Sequence, residues 1–196
     1  DPKTSFGSMS KAVLEPNSAQ EMVTMARQAI EISQSGRPGP VVVVMPRDFG
    51  ETKVDEDIEP RPYERKQVLS DQKSSNELID GFNKSVKPIL LAGELARGEN
   101  VRDLLVQLSD RLGAPVISAY RCQDVVENHH PCYAGHLEIN PVEYQDKLFE
   151  ESDFIAVLGS RLDGITSREE TLIKDDDKWA HIHPDNIVLE RFNSDI

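Results

Sequence analysis

The chain has 196 residues, 38% hydrophobic and 29% charged, which fits one globular domain with an appended fragment and excludes a fibrous or disordered chain. Its formal net charge of −13 argues against a phosphate-neutralising nucleic-acid surface, and the apolar run Val41–Met45 is far shorter than the roughly 18 residues that span a bilayer. Two cysteines, Cys122 and Cys132, form no secreted disulfide framework, and Asp1-Pro2-Lys3-Thr4 is no signal peptide, so the chain reads as cytoplasmic. The missing initiator methionine and the stop at Ile196 read as the edges of an excised segment.

Ser18-Ala19-Gln20-Glu21 has the form of a capping box and predicts a helix, with Met22, Met25, Ala26, Ala29 and Ile30 on one face. Ser35-Gly36-Arg37-Pro38-Gly39-Pro40 stops that helix, and Val41–Met45 predicts a strand buried on both faces. From Pro46 to about Ser70 the pattern breaks down into five acidic residues between Glu51 and Glu59 and prolines at Pro60 and Pro62. This is the expected boundary, giving a fragment over residues 1–50, a linker over 51–70 and a second domain over 71–196. Residues 1–50 are expected to pack as an extra helix-strand edge, to exchange with a second copy, or to fray.

Ser74-Ser75-Asn76-Glu77 predicts a second capping box and a helix through Leu78, Ile79 and Phe82 to about Ser85. Strands are then predicted at Ile89–Gly93, Pro115–Ser118, Phe154–Gly159 and Trp179–Ile182. Helices are predicted over residues 99–112, with Val101, Leu104, Leu105, Leu108 and Leu112 on one face, and from about Pro141 to Glu151. Strands alternating with helices imply an α/β fold, a mostly parallel sheet with helices on both faces.

Ligands of such sheets bind beyond the carboxyl ends of the strands, so the residues to inspect are Gly93–Gly98, Ala119–Arg121, Ser160–Gly164 and His183–Asp185. The fingerprint G-x-G-x-x-G is absent, and Gly93 serves either a strand-to-helix turn or a phosphate. Arg161 can fork onto a phosphate or tie down Asp163. His129, His130, Cys132 and His136 lack the paired spacing of a zinc site and read as a loop cluster, while His181 and His183 are read as facing opposite ways. Asp48, Glu94 and Asp163 have no partner for acid–base or nucleophilic work, so no catalytic residue and no metal ligand is assigned.

The segment Ser35–Asp48, reading SGRPGPVVVVMPRD, resembles the end of the pyrimidine-binding domain of thiamine-diphosphate-dependent enzymes of the acetolactate synthase type. The stretches Lys87–Gly93, Leu112–Val116, His130–Gly135, Ser152–Asp163 and His181–Asp185 are similar to their central domain, collinearly over nearly the whole chain. The resemblance implies a Rossmann-like central domain from a 2-oxo acid decarboxylase or carboligase. In the parent, thiamine diphosphate and Mg would be held by pyrimidine- and diphosphate-binding domains outside this chain, in a homo-oligomer. It implies a scaffold and assembly role for this fragment, which lacks the family's GDG magnesium motif. The central domain of the family holds FAD, an adenine nucleotide, or nothing. Gly93, Arg161, Asp163 and Asp185 fall where flavin-binding members make contacts, whereas Glu94, Leu95 and His183 depart from their pattern.

Overall fold

The computed structural model describes residues 1–54 and 69–196, and these divide into two compact units, Asp1–Leu69 and Ser70–Ile196. Most of the acidic, proline-bearing stretch, residues 55–68, lies outside the described residues.

The first unit starts with the short helix α1 (Pro2–Phe6) and then builds a parallel strand-helix-strand: β1 (Ala12–Leu14), α2 (Ala19–Gln34) and β2 (Val41–Val43). The predicted cap forms in half. Ser18 Oγ accepts from the Glu21 N–H at 3.1 Å, but the Glu21 carboxylate reaches past Ser18 to accept from Asn17 N and Nδ2, at 2.8 and 3.0 Å. On α2, Ala29 is buried, but Ile30 is half exposed and does not belong to the inner face. At the other end Lys11 Nζ donates to the carbonyls of Ser35 (2.6 Å) and Arg37 (3.1 Å), placing a cation against the negative end of the helix.

Val41–Val43 is half-buried throughout, which corrects the expectation of a strand covered on both faces; Met45 is 69% exposed. The physical reason is its partners: among the described residues β2 pairs only with β1, and the two form a sheet of two strands. This self-pairing was not among the outcomes expected for residues 1–50.

The second unit is a five-stranded, all-parallel sheet in the order β5-β4-β3-β6-β7. Its elements in chain order are α3 (Gln72–Lys84), β3 (Pro88–Ala92), α4 (Glu99–Leu112), β4 (Val116–Ser118), β5 (Tyr133–His136), α5 (Glu143–Glu151), β6 (Phe154–Leu158), β7 (Trp179–Ile182) and α6 (Asn186–Glu190). Asp71, not Ser74, caps α3: its carboxylate accepts from the Ser74 N–H at 3.0 Å and the Ser74 hydroxyl at 2.7 Å. The ionised acceptor three residues upstream starts the helix one turn before the predicted box.

Successive residues of β3 and β6 serve opposite cores. Leu90, Ala92, Phe154 and Ala156 pack with Leu105 of α4 and with Leu78 and Phe82 of α3. Ile89, Leu91, Ile155 and Val157 pack with Phe149 of α5, and with Leu162 and Leu172 of the segment that follows β6. Leu90 and Leu91 are fully buried, each worth roughly 1.5–3 kcal/mol in transferred apolar surface. On α4 the inner face runs through Leu105, Leu108 and Leu112, while Val101 and Leu104 are 41% and 61% exposed and stand off the predicted stripe.

At the amino ends of the strands, Asp153 ties β6 to the entry of β3. It accepts from the N–H groups of Val86 and Lys87, at 2.8 and 2.9 Å, and from the Ser85 hydroxyl. Burial works to raise its carboxyl pKa, but these donors outweigh it and hold the group below its ordinary value.

Candidate functional site: the carboxyl edge of the sheet

After β3 the chain turns to one side of the sheet to make β4 and β5, then crosses back to make β6 and β7 on the other. The crevice between β3 and β6 is therefore the topological switch point, where ligands of doubly wound sheets bind. Gly93, Arg161, Asp163 and Asp185 all lie just beyond the carboxyl ends of β3, β6 and β7.

At this point the backbones of the two turns come into contact. A Cβ on Gly93 would stand 2.3 Å from Ser160 Cα, so the two crossover turns touch main chain to main chain. Hydrogen bonds fasten this contact: Gly93 N donates to Leu158 O at 2.9 Å, Leu95 N to Gly159 O at 3.0 Å, and Gly159 N to Ile182 O at 2.9 Å. Gly159 has a left-handed φ of 65°, and a Cβ there would meet the Leu95 Cβ at 2.8 Å. Both glycines are thus used for strand-end packing.

The charged residues face one another. Arg161 Nε is 4.0 Å from Glu94 Oε1 and 4.0 Å from Asp163 Oδ2, so one guanidinium faces two carboxylates. A phosphate approaching it meets a net negative environment. Asp163 Oδ1 accepts from the N–H groups of Ile165 and Thr166, both at 3.1 Å, and folds the following loop back over the sheet. Asp185 caps α6, accepting from Ile187 N at 3.1 Å, and its own N–H donates to His183 Nδ1 at 3.1 Å.

The loop after β6 contains the residues that reading the sequence missed. Leu162 and Thr166 are fully buried, and Thr166 Oγ1 accepts from Tyr120 N at 3.2 Å, anchoring the loop to the turn after β4. Three successive non-glycine residues, Arg168, Glu169 and Glu170, have φ of 52°, 54° and 68°, a left-handed turn. Arg168 bonds to Asp146 of α5, and Glu170 receives Arg191 Nε and Nη2 at 3.1 and 2.6 Å. The signal available in the sequence was Asp163-Gly164-Ile165-Thr166, the form of an aspartate-led turn.

His181 and His183 are 5% and 8% exposed with ring centroids 6.1 Å apart, which corrects the opposite-facing reading; residues two apart along a strand share a face. His181 Nε2 donates to Ser160 O at 2.8 Å, which fixes its tautomer, and Trp179 stacks on the ring at 5.7 Å. Burial lowers its pKa, the hydrogen bond to Ser160 opposes that, and His183 adds to the lowering. Asp48 lies in a short 3-10 turn of the first unit, where its carbonyl accepts the Thr52 hydroxyl. Among the described residues no three His, Cys, Asp or Glu side chains converge as a metal site. A groove of about 600 Å³ sits at the opposite edge, between α3 and the amino ends of β6 and β7, and includes none of the four nominated residues.

Residues 75–195 match the family model of the thiamine pyrophosphate enzyme central domain. The chain belongs to that family. It is 28% identical over 163 residues to an acetolactate synthase of Arthrospira platensis, covering 77% of this chain and 27% of that protein. It is 30% identical over 125 residues to a sulfoacetaldehyde acetyltransferase of Alcaligenes xylosoxydans xylosoxydans, covering 63% and 20%. The chain thus spans about a quarter or less of the length of these relatives. The fold matches that of a thiamine diphosphate-dependent 4-hydroxybenzoylformate decarboxylase from Rhodococcus jostii RHA1. The TM-score is 0.78 at 22% identity, over 99% of this chain and 37% of that one. The predicted α/β class, with its parallel sheet, holds for this central domain. Among the described residues no helix is long and apolar enough to cross a membrane.

Proposed function

We propose that this chain is the central domain, with an adjoining piece of the pyrimidine-binding domain over residues 1–50, of a cytoplasmic thiamine-diphosphate-dependent enzyme. That enzyme joins or cleaves carbon-carbon bonds beside the carbonyl of a 2-oxo acid. In it the domain is a scaffold that carries neighbouring domains and supports a homo-oligomer, and contributes no group to the chemistry. The observation that carries the scaffold reading is the main-chain contact of Gly93 with Ser160 at the switch point.

The residues present do not fit thiamine diphosphate with magnesium. No GDG occurs in the sequence, and the described carboxylates form no cluster that would ligate the ion. No catalytic step is therefore assigned to this chain. The scaffold reading is preferred to a nucleotide module because Gly93 and Gly159 pack on neighbouring turns and Arg161 lies 4.0 Å from the carboxylates of Glu94 and Asp163.

Calorimetric titration of the 196-residue chain with thiamine diphosphate and Mg is expected to show no heat of binding, and FAD, ADP and NAD to leave the melting temperature unmoved. A melting-temperature rise with any of the three nucleotides would refute the scaffold reading. Binding of thiamine diphosphate would refute the placement of its site in other domains.

A further inference from the structure

Sheet edges carry rows of N–H and C=O groups open to another strand, and natural folds blunt them with bulges, charges or covering groups. The second unit follows this rule on both sides. On the β5 edge the register shifts against β4, and the Gln145 side chain, 1% exposed, donates from Nε2 to Ala134 O at 3.1 Å and to His136 O at 3.2 Å. On the β7 edge Asp195 N donates to Trp179 O at 3.1 Å and His181 N to Ile196 O at 2.9 Å, so residues 195 and 196 cover that strand.

Strand β2 of the first unit has no such guard. Val44 N donates to Leu14 O at 2.9 Å, and alternate residues of a parallel strand face its partner. Val42 and Val44 therefore serve β1, while Val41 and Val43 turn their N–H and C=O groups to the other edge. Among the described residues no strand and no side chain pairs with these groups. Nothing in Val41–Met45 is charged, whereas β1 has Lys11 before it and Glu15 after it. The β2 residues are half-buried, Met45 is exposed, and two three-residue strands make a sheet of marginal stability.

We propose that β2 is an interaction surface and that its partner is β2 of a second copy of this chain. Antiparallel pairing about a two-fold axis at Val42 sets Val41 of each copy against Val43 of the other. Each of the two pairs exchanges both of its hydrogen bonds, and the two sheets join in the order β1-β2-β2-β1. The valine run suits this symmetry, since valine meets valine across the axis and no like charges are brought together. This contact lies in the first unit and is independent of the scaffold role proposed for the second, so either can fail alone.

The test is sedimentation of the intact chain over a dilution series, with amide exchange read residue by residue. The mass is expected to climb from 22.0 kDa towards twice that value as concentration rises. Exchange at Val41 and Val43 is expected to slow about 10-fold over the same range, with Leu90 of the second unit unchanged. Val43→Pro removes an outward N–H that β1 does not use, a change that edge strands accept, and is expected to weaken the dimer about 10-fold. A mass fixed at 22.0 kDa, a mass that runs past the dimer, or a Val43→Pro dimer as tight as wild type overturns the proposal. So do Val41 and Val43 amides indifferent to concentration. If Val43→Pro unfolds the first unit, the wild-type mass and the concentration dependence of its exchange decide alone.

Discussion

Val41–Val43 and Pro88–Ala92 look alike as sequence, short apolar runs entered through proline, yet the first is half-buried along its length and the second is buried at every residue. The difference lies in their neighbours. β3 has a strand on each side and apolar side chains packed on both faces, whereas β2 is hydrogen-bonded to one three-residue strand. An apolar run thus states what a strand can bury, and the strands and helices around it decide how much is buried.

The comparison breaks first at the core. Leu91→Ala is expected to cost about 3–4 kcal/mol in urea unfolding, whereas Val42→Ala costs about 1 kcal/mol. Trp179, the one tryptophan, reports the second unit by fluorescence, and amide exchange of β2 reports the first. Equal costs would mean that β2 is as deeply covered as β3.

Glycines sharpen the contrast by a somewhat smaller margin. Gly93→Ala forces a Cβ against Ser160 main chain and is expected to lower stability by about 2–3 kcal/mol, since neither crossover turn can yield cheaply. Gly39→Ala meets only the flexible Lys11 side chain, at 3.1 Å, and is expected to cost below about 1 kcal/mol. Thermal unfolding of the two variants checks the order.

The smallest effect is in pH. His181 has a folded pKa below its ordinary 6.5, so the folded state resists protonation that the unfolded chain accepts. Stability of the second unit is therefore full above pH 6.5 and falls as the pH drops below that value towards the folded pKa. His181→Gln should flatten this stretch of the stability profile, followed through Trp179, whose ring stacks on the imidazole. A wild-type profile flat from pH 7.5 to about 5 would contradict the sign.

Much of the second unit was legible because its signals are local. Trp179–Ile182 and residues 99–112 came out with the bounds read from the sequence, β4 and β6 differ by one residue at one end, and β3 is shifted by one residue at both. β1 and β5 were missed. Ala12–Leu14 is too short for any period to show, and Tyr133–His136 carries a glycine and no alternation of apolar residues. The nominated site positions were legible as strand-end positions; in the structure Asp163 and Asp185 accept from backbone N–H groups, Arg161 lies 4.0 Å from two carboxylates and Gly93 packs on Ser160. The contacts of Asp163 and Asp185 are local turns, whereas Gly93 on Ser160 and Arg161 beside Glu94 join turns more than 60 residues apart in sequence, which no local pattern encodes. Lys11 is a similar case, clamping a turn that begins 24 residues downstream of it.

The left-handed turn Arg168–Glu170 has a consequence for which substitutions the surface tolerates. Left-handed backbone costs an L-residue roughly 1–2 kcal/mol, and all three positions bear that cost without a glycine among them. Ordinary loops accept nearly any polar residue, and their glycines are the positions to leave alone. Here the rule is reversed: glycine is the replacement that relieves the backbone, and valine or isoleucine the one it rejects. Variation along this loop would be filtered by chirality rather than by burial.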